Sequence, residues 1–470
     1  MMSKRIVAGA VGLAAGLLVG CASGGAPLGG SAAAEFAQRE LGVVLRWNQT
    51  PSSRVDSQLE TDELLAEPLA ADDAVRIALG TNPRLQQLLA AYAASAADAR
   101  QLARPPNPLF TFGRLTADGA VDIERKLAIS LIDLFQSPQR RGLSRSLQQE
   151  ADLRAAGEVL DIAMDARRAW IEAVGARQSL QYAEQVHAAA DAGATLALRM
   201  AENGNFANVE HAREQAFLAE AIAELARARL AATQKREQLI RMLGLRTEQA
   251  DRLVLPDYLP EIPAEPLAEA ELSRRAFDER LDVRMARARL DATARSLGLT
   301  RVQSTVDALE FAGLRNSVSG GQRERGFEVD VRLPVFDFGD AKRANARATY
   351  LAALEQTAII AVDAQSMLRE SYASYRAAFQ LAAHYRDVVI PLRQTISEDS
   401  LLRYNGMLIS VFELLADARD TASAVRSSIA AQRDFWIADA ALRATVIGRR
   451  TSRPDIESTT PARSSDAGAH

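Results

Sequence analysis

The stretch FEVDVRLPVFDFGDAKR, residues 327–343, joins a strand pattern to the start of a long helical tract. Its first half alternates charged residues with apolar ones, which are Phe327, Val329, Val331 and Leu333. Strict period-two alternation predicts a β-strand with one apolar face and one charged face. A similar alternation occurs earlier in the chain, over positions 126–131. A half-buried sheet and a strand between lipid and water both show this pattern, so the pattern alone leaves both readings open.

The chain is predicted to be an internal duplication. One segment recurs after 198 positions and the others after 202, in the same order along the chain. The paired segments are AEPLA at 66–70 and 264–268, LIDLFQSPQRR at 131–141 with LPVFDFGDAKR at 333–343, and NGNFANV at 203–209 with NGMLISV at 405–411. Trp170 falls opposite Tyr372 at the larger spacing. Such an ordered series indicates two copies of one structural unit.

Each copy is predicted to contain a helix, two strands and a long helical hairpin, so the fold class is mainly α with a small β part. The predicted boundaries are 66–253 for the first copy, 254–263 for a linker and 264–447 for the second copy. Strands are expected at about 107–134 and about 304–336, and helical hairpins at about 138–246 and about 340–446.

The helical tracts are unusually long. No proline lies between Pro138 and Pro256, which leaves 117 residues without the strongest helix breaker. Asn203-Gly204 interrupts this tract, as Asn405-Gly406 interrupts the second copy, and Asn-Gly is a turn signal. Helices of about 60 residues on either side of each turn would be about 90 Å long. Pro391 is expected to kink or break one helix of the second copy.

The N-terminus is predicted to be a lipoprotein signal peptide, residues 1–20. Lys4 and Arg5 precede an apolar run that is too short for a permanent membrane span. The segment LVGC, which ends at Cys21, resembles the bacterial lipobox, so Cys21 is expected to carry the lipid and to become the new N-terminus. By the same resemblance, Ala22 in place of aspartate implies sorting to the outer membrane.

Two weakly patterned segments flank the repeats. Residues 21–65 are rich in Gly, Ala and Ser and are expected to form an extended, lipidated leader. Residues 448–470 are rich in Ser, Thr, Pro and Arg and are expected to form a disordered tail.

Composition excludes several classes of function. The 56 basic and 60 acidic residues are interspersed, so no basic strip suggests nucleic acid. Cys21 is the only cysteine and the four histidines are scattered, so neither a disulfide nor a metal site is expected. The sequence has no phosphate loop and no nucleophile elbow. We therefore expect a non-enzyme with no cofactor besides the lipid at Cys21.

The number of strands predicts oligomerisation if the sheet lies in a membrane. Four strands cannot close a barrel, because the smallest membrane barrels use about eight and an open edge in lipid leaves backbone groups unpaired. Three copies would supply twelve strands, and their long helices would continue below the barrel as a hollow cylinder across the periplasm.

The order of these features resembles the TolC-like outer-membrane factor family, in its lipoprotein form. The resemblance covers about residues 66–447 and rests on the segments ALGTNPRL, LPVFDFGDAKRANARA and RMAENGNFANVEHA. It implies a homotrimeric channel in the outer membrane that extends into the periplasm. It also implies two partners, a periplasmic membrane-fusion adaptor and an inner-membrane transporter of the RND type or another type, which together form a tripartite efflux pump.

The same resemblance suggests site residues. The hairpin tips would dock the adaptor, through Asn203, Gly204, Arg403, Tyr404, Asn405 and Gly406. Acidic residues just beyond each tip would narrow the pore, and the nearest are Glu210, Glu413 and Asp417. The second copy departs from the family spacing by one residue near the tip, so the acid that faces the lumen stays open.

A second function from another class stays open as well, namely a lipid-anchored periplasmic coiled-coil scaffold that spans nothing. The exported substrate is not legible from the sequence. Met367 and Met407 are isolated and are interpreted as packing residues, which gives no support to a methionine path for copper.

Overall fold

The computed structural model describes residues 32–448, apart from 118–119, 204–206, 270–271, 273–279, 304–307, 319–322, 333–335 and 337. The predicted signal peptide, the lipidation site Cys21, the tip residue Gly204, the strand residue Leu333 and the tail beyond residue 448 lie outside the described residues.

Both copies run in the order of helix, two strands and long helical hairpin, although the first copy has additional short helices in the described residues. The first part of the chain holds α1 (Ala32–Phe36) with a π-helical turn (Ala37–Leu41), α2 (Pro51–Leu64), α3 (Ala71–Thr81), α4 (Pro83–Ala103), β1 (Leu109–Ala117), β2 (Ala120–Ser130), α5 (Leu131–Phe135), α6 (Ser137–Glu202), α7 (Asn208–Leu243) and α8 (Thr247–Asp251). The second part holds α9 (Leu281–Gln303), β3 (Ala308–Val318), β4 (Arg323–Arg332), α10 (Asp340–His384), a π-helical turn (Tyr385–Val389), α11 (Ile390–Asn405) and α12 (Val411–Ile447). Within the described ranges, no helix combines the length and the apolar content that a membrane-spanning helix requires.

The strands of both copies join into one antiparallel sheet in the order β1-β2-β3-β4. The register places Leu109 opposite Ala128, Ile129 opposite Phe311, and Ala308 opposite Arg332. β1 and β4 form the two edges of the sheet, because each pairs with a single neighbouring strand within the described chain.

The end of β2 differs from the sequence prediction. Leu131 was expected to continue the strand, but the strand ends at Ser130 and Leu131 begins α5. The side chain of Ser130 accepts a hydrogen bond from the backbone N–H of Asp133 and so caps the new helix. The alternation of apolar residues therefore extends one residue beyond the strand itself.

The first helical hairpin is asymmetric. α6 has 66 residues, close to the predicted length, but α7 has only 36, so the prediction of about 60 residues on both sides of the turn is wrong. α7 ends at Leu243, and the next residue, Gly244, has a left-handed backbone with φ +70°. A Cβ at this position would lie 2.9 Å from Cδ of Pro83, so glycine allows both the turn and the close approach to α4.

The second copy matches the long helix of the first by a different route. α10, the π-helical turn and α11 form one helical run over residues 340–405, as long as α6. Pro391 lies in the first turn of α11, directly after the π-helical turn. Because proline has no N–H and its ring crowds the preceding turn, a locally wider turn accommodates it. The predicted irregularity at Pro391 is confirmed, and the helical run continues through it.

The leader prediction is wrong for its described part. Residues 32–41 and 51–64 form α1, a π-helical turn and α2, joined by an irregular segment over 42–50, rather than one extended tether. Phe36 and Leu45 are buried in the main hydrophobic core, and Asn48 donates a hydrogen bond to the carbonyl of Gly80 (3.0 Å). This burial explains the order, because a few large apolar residues dock a segment whose composition alone predicts flexibility.

Equivalent hydrogen bonds join the helical hairpins to the segments that precede each repeat. Nε1 of Trp170 donates to the carbonyl of Leu69 (2.7 Å), and the hydroxyl of Tyr372 donates to the carbonyl of Leu267 (3.2 Å). Leu69 and Leu267 occupy the same position in the two AEPLA segments. The internal correspondence read from the sequence is therefore present in the structure as a repeated contact.

An ion pair links the two helices of the first hairpin. Glu172 on α6 accepts hydrogen bonds from Nζ of Lys235 on α7 (2.7 Å) and from Nε of Arg168 (3.0 Å), and its side chain is largely buried. Burial raises the pKa of Glu172, but Lys235 and Arg168 outweigh it and hold the pKa below its usual value. The pair therefore stabilises the fold above the pKa of the unfolded chain, and the stabilisation is lost as pH falls through the lower folded pKa.

We expect Glu172→Gln to lower the free energy of unfolding by about 1–2 kcal/mol at pH 7, because the charged hydrogen bonds are lost. The difference from wild type should begin to shrink below about pH 4.3, where the carboxyl group of the unfolded chain takes up its proton, and should disappear as pH falls through the lower pKa of the folded state. Thermal unfolding from pH 7 to pH 3 measures this. Glu184→Gln is the matched control, since Glu184 forms an exposed 3.9 Å pair with Arg229 and should change stability little at any pH. A pH-independent difference for Glu172→Gln would contradict the assignment.

Candidate functional site

The sheet places all its acidic side chains on one face and most of its large apolar side chains on the other, although Leu109 and Leu115 share the side with the acids. Cross-strand partners share a face, and one row across all four strands consists of Phe110, Leu127, Gly313 and Phe327. We call this side the apolar face, and its apolar members include Phe110, Phe112, Ile123, Leu127, Ile129, Leu309, Phe311, Phe327, Val329 and Val331. The alternation that began at Phe327 thus continues as a contiguous surface over both copies.

The apolar face is exposed in the single chain. Phe327 has 72% of its surface exposed and Phe110 has 62%, and the rings of Phe311 and Phe327 stack with centroids 6.1 Å apart. A contiguous exposed apolar surface of this kind marks contact with lipid or with another protein.

The opposite side, which we call the acidic face, carries every acidic residue of the four strands: Asp122, Glu124, Glu310, Glu324, Glu328 and Asp330. Lys126 lies on the same face, where its Nζ is 2.6 Å from Glu328 and 3.7 Å from Asp330. Since Lys126 is on β2 and both acids are on β4, this contact crosses the intervening strand. The acidic face keeps an excess of negative charge.

The tip of the second hairpin is closed by a Schellman-type turn. The N–H of Leu408 donates to the carbonyl of Arg403 (2.8 Å), and the N–H of Met407 donates to the carbonyl of Tyr404 (2.9 Å). Met407 has φ +59°, the one positive φ of a non-glycine residue in the described chain, whereas Gly406 has φ −81°. The predicted Asn405-Gly406 turn is in the right place, but the left-handed position belongs to Met407.

The same tip exposes apolar side chains that sequence reasoning missed. Met407 has 93% of its surface exposed and Leu408 has 77%, and Leu402 is also exposed. The interpretation of Met407 as a packing residue is therefore wrong. Arg403 pairs with Asp399 within α11 (2.9 Å), and Tyr404 is partly exposed beside it. The sequence does contain a signal for this exposure, because Leu402, Met407 and Leu408 lie around a turn, where polar residues are usual.

The tip of the first hairpin is described at its two flanks. α6 ends at Glu202, and the side-chain amide of Asn203 donates to the carbonyl of Arg199 (2.7 Å). α7 begins at Asn208, and the next residue, Val209, is exposed. Both tips thus carry an exposed apolar residue, which is Val209 at the first tip and Met407 at the second.

The three acids suggested for a constriction occupy different settings. Glu210 is half-buried in the first turn of α7, and Glu413 is exposed in the first turn of α12. The carboxylate of Asp417 accepts a hydrogen bond from the hydroxyl of Ser400, which ties α12 to α11. Among the described residues no hydrogen bond or ion pair joins the three acids, and which of them narrows a pore stays a prediction.

A further ion pair, not anticipated from the sequence, joins the two hairpins near their tips. Arg419 on α12 pairs with Glu214 on α7, whose residue is only 3% exposed. The guanidinium of Arg419 also lies over the ring of Phe217, 4.8 Å from its centroid. Arg393 and Asp420 add a 3.2 Å contact between α11 and α12. The Glu214–Arg419 pair therefore joins the two hairpins, whereas the Arg393–Asp420 contact lies within the second. No cluster of His, Cys, Asp or Glu in the described residues is arranged to hold a metal ion.

Comparison with solved structures finds close matches of fold at low sequence identity. The outer-membrane channel OprN is 18% identical, with a TM-score of 0.67 over 86% of this chain and 94% of its own. The outer membrane protein VceC of Vibrio cholerae is 15% identical, with a TM-score of 0.67 over 80% and 96%. The CmeC outer membrane channel of Campylobacter jejuni is 13% identical, with a TM-score of 0.67 over 82% and 87%.

Sequence comparison adds no nearer relative: no family model matches the chain, and no curated protein matches it. The matched structures nevertheless cover most of both chains, and they confirm the mainly helical architecture with a small antiparallel sheet that the sequence predicted. The chain therefore has the fold of bacterial outer-membrane channels.

Proposed function

We propose that this protein is the outer-membrane channel of a tripartite efflux pump, a non-enzymatic conduit that conducts substrates from a periplasmic adaptor and an inner-membrane transporter to the exterior. The observation that carries the proposal is a four-stranded sheet with one exposed apolar face and one acidic face, attached to two long helical hairpins. An apolar exterior and a polar lumen are what a membrane barrel requires.

Three copies of the chain form the channel in this proposal. β1 and β4 are edges, and an edge within hydrocarbon costs several kcal/mol for each unpaired backbone group. Pairing β1 of one chain with β4 of the next removes every edge and gives a closed barrel of twelve strands. The apolar faces then meet lipid, and the acidic faces line the water-filled passage.

The helices set the length of the conduit below the membrane. α6 has 66 residues and is therefore about 100 Å long, against about 30 Å for the hydrocarbon core of a bilayer. Helices of this length reach deep into the periplasm. The hairpin tips at their far end would dock the adaptor, and the exposed Leu402, Met407 and Leu408 extend the predicted docking set beyond Asn203, Gly204, Arg403, Tyr404, Asn405 and Gly406.

The lipid at Cys21 would fasten each chain beside the barrel. The alternative function, a lipid-anchored coiled-coil scaffold, has no use for an exposed face of phenylalanines on a sheet with open edges. The two functions differ in what holds the protein in the membrane.

We expect Cys21→Ala, exported with a cleavable signal peptide, to stay in the membrane fraction through washing with sodium carbonate. The barrel rather than the lipid would hold it there. The purified variant should still run as heat-labile trimers on a gel and conduct current in planar bilayers. Release of a monomeric, non-conducting protein by the wash would support the scaffold instead.

We expect Glu124→Gln together with Glu324→Gln to lower the ratio of cation to anion permeability by about twofold or more, because three chains each lose two charges from the acidic face. Reversal potentials in a salt gradient measure the ratio. The control removes the same charge from α8, by Glu248→Gln with Asp251→Asn, and should leave the ratio unchanged. Equal permeability ratios for the two double variants would argue against an acidic lumen.

We expect Met407→Gly to separate docking from folding. The left-handed conformation costs a non-glycine residue about 1–2 kcal/mol, so glycine should leave trimer stability unchanged or raise it slightly. Binding to the adaptor from the host's own pump should weaken about tenfold, because a large exposed apolar contact is lost. Leu230→Ala, at an exposed position in α7 away from the tips, is the control. Unaltered adaptor binding by Met407→Gly would remove this residue from the docking surface.

A further inference from the structure

Arginines occupy two successive rows of the apolar face, on the side nearer the two strand hairpins. In the register, Phe112 lies opposite Arg125, Arg114 opposite Ile123, Arg315 opposite Arg325, and Ser317 opposite Arg323. Because cross-strand partners share a face, all five arginines lie on the same side as Phe110 and Phe327. We call them the arginine belt: Arg114, Arg125, Arg315, Arg323 and Arg325.

The belt carries positive charge that the protein itself leaves unbalanced. All six acidic residues of the strands lie on the opposite face, and within the described chain none of the five arginines makes an ion pair or a hydrogen bond through its side chain. Four of them are exposed and Arg125 is half-buried. Water would solvate these side chains in solution, but at a membrane surface an unpaired arginine favours an anionic group from outside the chain.

The other border of the apolar face is built differently. There, Phe135, Phe336 and Phe338 are exposed, and the nearby Arg140 and Arg343 are each paired with an aspartate of this chain, Asp133 and Asp340 respectively. Exposed aromatic rings suit a membrane interface without calling for an anion. The two borders of the apolar face therefore favour different surroundings.

The belt's level in the membrane follows from the helices, and this step rests on the proposed function. The helices leave the sheet at the end opposite the strand hairpins, so if they extend into the periplasm, the belt lies toward the outer leaflet. An arginine on the lipid face costs about 2–4 kcal/mol at the middle of the bilayer but little near the interface. Five arginines together thus belong at the level of the headgroups.

We propose that the arginine belt binds the phosphate groups of the phosphorylated glycolipid of the outer leaflet, lipid A. The planar guanidinium donates two parallel hydrogen bonds to phosphate oxygens, and Arg315 and Arg325 stand as a direct cross-strand pair that one phosphate can bridge. Lipid A carries two phosphates on adjacent sugars and therefore suits a row of several arginines. The bound glycolipid would stabilise the part of each chain's sheet that is farthest from the helices.

The test uses the full-length protein in detergent and counts bound lipid by native mass spectrometry during titration with bisphosphorylated lipid A. Arg315→Gln with Arg325→Gln should weaken binding about tenfold or more. Removal of two arginines from α10, by Arg347→Gln with Arg369→Gln, is the charge-matched control and should leave binding unchanged. Arg315→Lys with Arg325→Lys keeps the charge without the bidentate geometry and should bind with intermediate strength.

Two further titrations identify the ligand. Dephosphorylated lipid A should bind the wild type at least tenfold more weakly than the bisphosphorylated form. Inorganic phosphate at millimolar concentration should not displace the glycolipid. Equal binding of the dephosphorylated lipid, displacement by inorganic phosphate, or undiminished binding by the Arg315→Gln and Arg325→Gln variant would overturn the proposal.

Conductance separates this proposal from the channel function. The Arg315→Gln and Arg325→Gln variant should form trimers and conduct current like wild type in bilayers of neutral phospholipid, because the belt faces away from the acidic face. If wild-type protein conducts and binds no lipid A, only the present inference fails. If wild-type protein binds lipid A but never conducts, the channel function fails and the lipid site stands.

Discussion

The edges of a four-stranded sheet constrain everything else about this protein. Each chain contributes strands whose outer face is apolar and whose first and last members lack a neighbour on one side. In water such a sheet is an aggregation hazard, and in lipid its open edges carry unpaired backbone groups. In the channel that we propose, closure by identical neighbours answers both problems at once. The passage that we propose is then a consequence of sealing the sheet, since the closed wall surrounds the acidic face.

The helical part depends on a contact that the chain makes twice. Trp170 and Tyr372 donate to the carbonyls of Leu69 and Leu267, and these bonds attach each long hairpin to the segment that introduces its own copy. Two glycines play matched roles at the ends of the hairpins, because Gly244 approaches Pro83 and Gly448 approaches Leu281 too closely for a Cβ. The two copies thus share the contacts that attach their long hairpins to neighbouring segments, whereas the lengths of the helices and the irregularity at Pro391 differ between the copies.

Charge is sorted by face and by level along the molecule. The strands carry acids on one face and an arginine belt on the other, whereas the long helices carry both signs in local pairs. Near the tips, the buried pair of Glu214 with Arg419 joins the hairpins, and exposed apolar side chains project beyond it. Long helices that end in exposed apolar side chains suit the end-to-end contact with a partner that we propose.

Periodicity and repetition determined the fold class, the four strands and the turns, because alternation at Phe327–Val331 and the paired AEPLA and Asn-Gly segments are local signals. They also placed Glu413 and Tyr404 near a tip. Other features depended on contacts between distant residues. α7 ends before Gly244, where Pro83 at the start of α4 approaches too closely for a Cβ. The leader is ordered because Phe36 is buried in the main core, and Met407 is exposed because the turn places its side chain outward. A sequence pattern reports how one segment prefers to fold, whereas these outcomes were decided by which segments meet, and only the tertiary structure brings those segments together.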